Sequence, residues 1–274
     1  MASKKIFRII LLSVVAFLIL NAIYVGYEKI QCRRMINAIE NNDIEKLERI
    51  LKFSNPNCTT EAAMVSAMSQ TGRYTPLGEA CKTGDFEMVK LLVENGADVN
   101  YVPSYTIASP VGFAVESDST DNLKIVKYLI ENGADVNYSR FSQSLPITML
   151  FWEEAEPNRM EILKVLMEAG ADPEKDIALE MACAWKHEEA IRYLVEECGY
   201  DASDPECIGS YCNGVGEYSY ETFEYFLERG ANPYEKYYIN KYIGEKSAIE
   251  CLQEESPEWA EKLIDLAASY GITE

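Results

Sequence analysis

One phrase recurs along this chain and constrains it more than any propensity does. Glu94-Asn95-Gly96-Ala97-Asp98-Val99-Asn100 returns almost unchanged as Glu131-Asn132-Gly133-Ala134-Asp135-Val136-Asn137. Weaker copies stand at Glu168-Ala169-Gly170-Ala171-Asp172-Pro173 and Glu228-Arg229-Gly230-Ala231-Asn232-Pro233, with an eroded one at Cys198-Gly199-Tyr200-Asp201. From glycine to glycine the spacings are 37, 37, 29 and 31 residues. A unit of that length cannot bury its own apolar face and must stack on its neighbours. The 274 residues are therefore expected to form one elongated array of small units rather than a single large core.

The clearest unit runs Thr75-Pro76-Leu77-Gly78-Glu79-Ala80-Cys81, then Gly84-Asp85, then Val89 with Leu91-Leu92, and closes on Gly96-Ala97-Asp98-Val99-Asn100. Thr75 can cap a first helix, and Pro76 fits its first turn, where a missing N–H costs nothing. Ala80 lets helices approach, and Gly96 can take the left-handed conformation that ends a second helix. This sequence resembles the ankyrin repeat, whose pattern is Thr-Pro-Leu-His-x-Ala-Ala, a Gly turn, a Val-x-x-Leu-Leu helix and Gly-Ala-Asp-x-Asn. Gly78 replaces the family's histidine, so a looser junction is expected there. The resemblance implies an all-α ankyrin-repeat solenoid of about seven helix pairs with intervening turns.

The remaining units follow by pattern. Residues 30–57 read as a capping helical hairpin, broken at Asn41-Asn42-Asp43, with Asn55-Pro56-Asn57 in the place of Asp98-Val99-Asn100. A short helix is expected near 61–68 within a longer connection. Clear repeats occupy 73–174, the third with Ser109-Pro110-Val111 and an acidic insertion at 116–121 read as solvated, and the fourth with a longer turn near 153–158. Degenerate repeats fill 175–236. Gly209, Gly214 and Gly216 predict a weak first helix in the sixth. Residues 237–274 read as a closing cap.

Ahead of the repeats, residues 1–28 combine a basic flank (Lys4, Lys5, Arg8) with the apolar run 9–25. Counted from Ile6, it reaches roughly 30 Å as a helix, enough to cross a bilayer core. Around 21–27 the small residues are wrongly paired for a signal-peptidase site, Ala22 and Gly26 each having Tyr24 two residues away, and Ile30-Gln31-Cys32 is no lipoprotein site, which favours one uncleaved transmembrane helix. Lys4, Lys5, Arg8 and the terminal amine slightly outweigh Lys29, Arg33 and Arg34, diluted by Glu28, placing the soluble part outside. Eight cysteines without a CxxC pair fit a reducing compartment instead, so the side stays open.

The chain carries 25 Lys and Arg against 45 Asp and Glu, a net charge of −20. Such a field repels phosphate backbones, which argues against nucleic acid and for a protein partner that is itself basic. The cysteines lack zinc-module spacing and read mostly as small core fillers, with oxidation open for an exported chain. The single histidine, His187, lies between Lys186 and Glu188-Glu189 and is expected on an exposed turn. No nucleophile pairing, phosphate loop or calcium loop emerges, so no catalytic residue, cofactor, metal or small-molecule substrate is assigned.

Recognition of another protein remains. Family knowledge places partner contacts on the loops and exposed sides of the first helices. The pattern then selects Tyr74, Tyr105 and Phe141 before the Thr-Pro-Leu triplet, and Lys82, Glu116, Trp152 and Trp185 after the Ala-Ala pair. Tyr101, Tyr138 and Tyr234 follow the closing Asn or Pro. Tyr and Trp offer large, rigid contact area with a polar handle. The reading is a non-enzymatic, membrane-tethered protein-binding module. An inhibitor or immunity-type protein neutralising a basic toxin or enzyme, chemistry hidden in 203–244, and a structural envelope spacer stand as alternatives.

Overall fold

The computed structural model describes residues 2–59, 75–103, 108–138, 145–151, 158–172, 177–240 and 244–274. They fall into two compact units, 1–138 and 139–274. The short helix expected near 61–68 and most of the turn expected at 153–158 lie outside the described residues.

The first unit opens on one helix, α1 (Ala2–Glu40), which runs without a break from the apolar segment into the first repeat. Residues 10–25 are exposed throughout: Leu12, Phe17 and Leu20 keep 68%, 69% and 66% of their surface. Further along the same helix Cys32, Met35 and Ala38 are fully buried. α1 thus changes medium along its length, and it is the one described helix long and apolar enough to cross a membrane. The boundary between residues 28 and 29 is a change of surroundings, not of secondary structure.

After the turn at Asn41-Asn42-Asp43, α2 (Ile44–Leu51) packs back on α1, started by Asp43, whose carboxylate accepts the Lys46 N–H at 2.9 Å. Two further pairs follow: α3 (Pro76–Thr83) with α4 (Phe86–Glu94), and α5 (Pro110–Val115) with α6 (Asn122–Glu131). Thr75 caps α3 by accepting the Gly78 N–H at 2.9 Å, and Ser109 caps α5 by accepting that of Gly112 at 3.2 Å. Each such cap is worth about 1 kcal/mol. First helices pack on first helices (α1, α3, α5) and second on second (α2, α4, α6). Between them Leu47, Met88, Leu92, Ile125 and Leu129 are fully buried, at about 1.5–3 kcal/mol each.

The histidine replacement leaves no loose junction. A Cβ at Gly78 would meet the Phe113 ring at 3.2 Å, so Phe113, only 5% exposed, fills the space that the bare backbone leaves. The acidic insertion is likewise not wholly solvated. Ser117 is buried, and the Ser119 hydroxyl donates to the Gly84 carbonyl at 3.0 Å.

The second unit holds four pairs: α7 (Pro146–Met149) with α8 (Arg159–Glu168), α9 (Ala178–Ala184) with α10 (Glu188–Glu196), α11 (Pro205–Cys212) with α12 (Tyr220–Glu228), and α13 (Ala248–Glu255) with α14 (Pro257–Ser269). The weak first helix expected in the sixth repeat is a regular one. α11 begins on Pro205, is capped by Asp204, and carries Gly209 because a Cβ there would overlap the Tyr237 ring. Gly214 lies outside the helix, its Cα so close to the Ala184 backbone that any side chain would overlap it. Between α12 and α13 an antiparallel hairpin, β1 (Lys236–Asn240) and β2 (Gly244–Ser247), departs from the all-α expectation. It delivers Tyr237, 8% exposed, onto Gly209.

Candidate functional site

In the first unit the recurring phrase builds its own scaffold. Gly96 and Gly133 take φ of 87° and 88°, a region costly for a side chain, and end α4 and α6. Asp98 then accepts the Asn100 N–H at 2.9 Å, and Asp135 that of Asn137 at 2.8 Å, each closing a tight local turn. The asparagine side chain reaches across to the next repeat. Asn57 donates to the Gly96 carbonyl at 2.9 Å and accepts from the Asp98 N–H at 2.7 Å. Asn100 repeats both bonds with Gly133 (2.9 Å) and Asp135 (2.8 Å). Asn57 therefore occupies the structural place of Asn100, and the three turns form a ladder with two rungs.

Tyr101 and Tyr138 follow on this ladder. The Tyr101 N–H donates to the Asp98 carbonyl at 3.1 Å, and that of Tyr138 to the Asp135 carbonyl at 3.4 Å. Tyr138 keeps 42% of its surface exposed, and Tyr101 is half-buried. Lys82 is exposed in the last turn of α3, and Glu116 is the half-buried residue that closes α5. Because α3 and α5 pack side by side, these two opposite charges stand at corresponding helix ends. Sequence reasoning passed over Glu79, buried on α3. Burial, and then the Glu40 carboxylate, push its carboxyl up, while Lys82 pulls the other way. Its position two residues after Leu77 gives no hint of burial.

In the second unit the candidates fare differently. Tyr234 is displaced by one position from the register expected of it. Its N–H donates to the Asn232 side chain at 3.0 Å, the bond Asn100 makes to Asp98, while Glu235 makes the backbone bond that Tyr101 makes. Tyr234 thus stands where a rung asparagine would stand. Trp185 closes α9 and is half-buried. Tyr74, Tyr105, Phe141 and Trp152 lie outside the described residues.

His187 is not the exposed turn residue expected. It begins α10, lies 5.9 Å from the Phe151 ring, and has an Arg159 guanidinium nitrogen 2.8 Å from Nε2. Arg159 is held there by its own bond to the Leu150 carbonyl at 3.1 Å. Burial, with the arginine charge, lowers the imidazole to about 4, so at neutral pH it is uncharged. Its described side-chain partners, Phe151 and Arg159, offer no nucleophile to activate. Around Lys186 the aromatics turn inward: Tyr211, Tyr218, Phe223, Phe226 and Trp259 pack with neighbouring ring centroids 5.2–6.2 Å apart. The ammonium of Lys186 sits 4.2 Å above Tyr218 and donates to the Gly214 carbonyl at 2.7 Å. Burial lowers Lys186 and raises Tyr211 and Tyr218 to about 12, the signature of a packed cluster.

The thiols follow the same logic. Seven of the eight cysteines are buried, and burial pushes Cys81, Cys183 and Cys212 upward, leaving inert thiols rather than nucleophiles. Comparisons agree with this architecture. Residues 35–140 match the family model described as ankyrin repeats (3 copies). No curated protein matches the chain. Among solved structures, the crystal structure of the human ASB11 ankyrin repeat domain is 23% identical. The alignment covers 84% of this chain and 96% of that one, with a TM-score of 0.61.

Proposed function

Since the chain carries ankyrin repeats, we propose that it is a non-catalytic, membrane-tethered module that binds another protein through the surface bearing Tyr101 and Tyr138. The carrying observation is the ladder: two tyrosines are presented by turns whose geometry is fixed by side chains from the preceding repeat. An aromatic held in place before binding loses little freedom on contact, which is what makes such residues strong anchors. Lys82 and Glu116, on the neighbouring helix ends, supply charges of both signs.

Tethering rests on α1, whose exposed apolar stretch is long enough to cross a bilayer and continues directly into the repeat. A tether raises the effective concentration of partners on the same membrane. The charge favours a basic partner: residues 54–274 carry sixteen Lys and Arg against forty Asp and Glu. The same charge favours, as an alternative reading, an inhibitor or immunity-type protein that neutralises a basic toxin or enzyme.

The test is capture from solubilised membranes by the full chain tagged at Glu274, compared with the Tyr101→Ala/Tyr138→Ala variant. A specific protein should drop about tenfold or more with the variant. An unchanged set of captured proteins would remove the surface reading. A basic partner should also be released between about 50 mM and about 500 mM salt. A reporter at Glu274 that works only in the cytoplasm assigns the side.

A further inference from the structure

Where α1 leaves its apolar stretch, the acidic surface gives way to a basic one. Two grooves, of about 410 and 380 Å³, flank the helix there. Of the twelve residues lining them, five are Lys or Arg (Lys29, Arg33, Arg34, Lys46, Arg49) and none is Asp or Glu. Among the neighbouring carboxylates, Asp43 caps α2, Glu48 pairs with Lys52 at 3.5 Å, and Glu28 lies beside Tyr24. Arg34 bonds to the Gln31 side chain at 3.2 Å, Lys46 to that of Asn37 at 3.0 Å, and Arg49 to the Glu45 carbonyl at 3.1 Å. All three acceptors are neutral groups, so these bonds leave the charges of Arg34, Lys46 and Arg49 in place.

Helix geometry sets the height of this collar. Glu40 stands about 22 Å beyond Val25 along α1, and α2 returns about 12 Å of that. The return brings Phe53 back to within about two helical turns of Tyr27, and both line the larger groove. Phe53 is 80% exposed, and Tyr27 and Ile30 are 42% and 61% exposed, an expensive display of apolar surface in water. Side chains on a helix lean toward its N-terminus, so those of Lys29, Arg33 and Arg34 lean toward the apolar segment, as the Arg34–Gln31 bond shows.

We infer that this collar is a docking site for the headgroups of anionic phospholipids. The cations take the phosphate, and Phe53 and Tyr27 enter the interface, where aromatic rings are favoured. The inference rests on α1 spanning the bilayer. It adds that α2, the second helix of the first repeat, also touches the membrane surface.

The full chain is reconstituted into vesicles of mixed phosphatidylcholine and phosphatidylglycerol, gently re-solubilised, and the phospholipid that stays with it is counted by headgroup. The wild type should retain phosphatidylglycerol well above its share in the vesicles. Arg34→Gln/Lys46→Gln/Arg49→Gln should lose that enrichment, by about fivefold for each cation removed. Lys127→Gln, on α6, should retain it. Phe53→Ser, at a site too exposed to affect folding, should lower it about twofold or more. Equal retention of the two lipids by the wild type, or undiminished enrichment in the triple variant, would overturn the docking site while leaving the span intact. Release of the wild-type chain from the vesicles by alkaline carbonate would overturn the span and the docking site together.

Discussion

The two units solve one problem, holding helix pairs in register, by different chemistry. In the first, the solution is polar and repeated: Asn57 and Asn100 each make the same two bonds to the next turn. In the second, the local turns persist, because Asp201 and Asn232 still accept N–H bonds from Ser203 and Tyr234. At the described rung positions of this unit, the crossing side chain does not. Ser203 is too short to cross and its hydroxyl folds back on Asp201 at 2.6 Å, and Tyr234 occupies the next described rung position. Cohesion there comes from single, non-repeating fits: Tyr237 on Gly209, the 213–216 loop on Ala184, and the ring cluster around Tyr211. A repeated polar rung survives small changes elsewhere, whereas a one-off fit depends on each partner.

The contrast breaks most sharply at Gly214. Gly214→Ala sets a Cβ against the Ala184 backbone, which cannot step aside as a side chain can. A loss of about 3 kcal/mol is expected in urea unfolding of the full chain in detergent. A loss below about 1 kcal/mol would mean that the loop lifts away freely. Next is Gly78→His, which restores the usual repeat residue but collides with Phe113, at about 2–3 kcal/mol. Combined with Phe113→Ala, the two losses should fall short of additivity by at least about 1 kcal/mol, and strict additivity would deny that Phe113 fills the space.

The ladder itself gives a smaller effect. Asn100→Ala removes two bonds on a solvated turn and should cost about 1–2 kcal/mol, whereas Ser203→Ala, in the equivalent turn, should cost under about 0.5 kcal/mol. Equal values would erase the distinction between the units. The smallest concerns His187. Its folded pKa of about 4 lies below the ordinary 6.5, so the unfolded chain takes the proton first. The stabilisation is complete above about pH 6.5 and is lost as pH falls towards 4. Measured as the difference from His187→Gln, which stays neutral, the change should be about 1 kcal/mol once partial exposure is discounted. A pH-independent difference would place the ring in water.

What the sequence disclosed follows the same division. Caps, helix ends and the equivalence of Asn57 with Asn100 were legible because their partners lie within a few residues or one repeat away. Glycine was ambiguous. At Gly209 the residue type signals a weak helix, and only Tyr237, supplied by a hairpin after the next helix, reveals a contact position instead. His187 likewise could not announce Arg159, 28 residues earlier. Tyr234 was misplaced because Pro233 resembles a closing residue, and only the hydrogen bonds fix the count. Tyr101 and Tyr138 were legible as a pair since they share one local frame.

One consequence of α1 concerns mechanics. A tether made of loose chain lets its cargo swivel and search a hemisphere of directions, and linker length sets its reach. On the proposed span, α1 has no proline, no gap and no glycine but Gly26 between the bilayer and Cys32, and works as an axle. Any tilt or turn imposed on the membrane segment is carried into the first repeat by the same angle. In a bilayer, the heading of Tyr101 and Tyr138 is then set by lipid thickness and helix tilt as much as by the repeats that carry them.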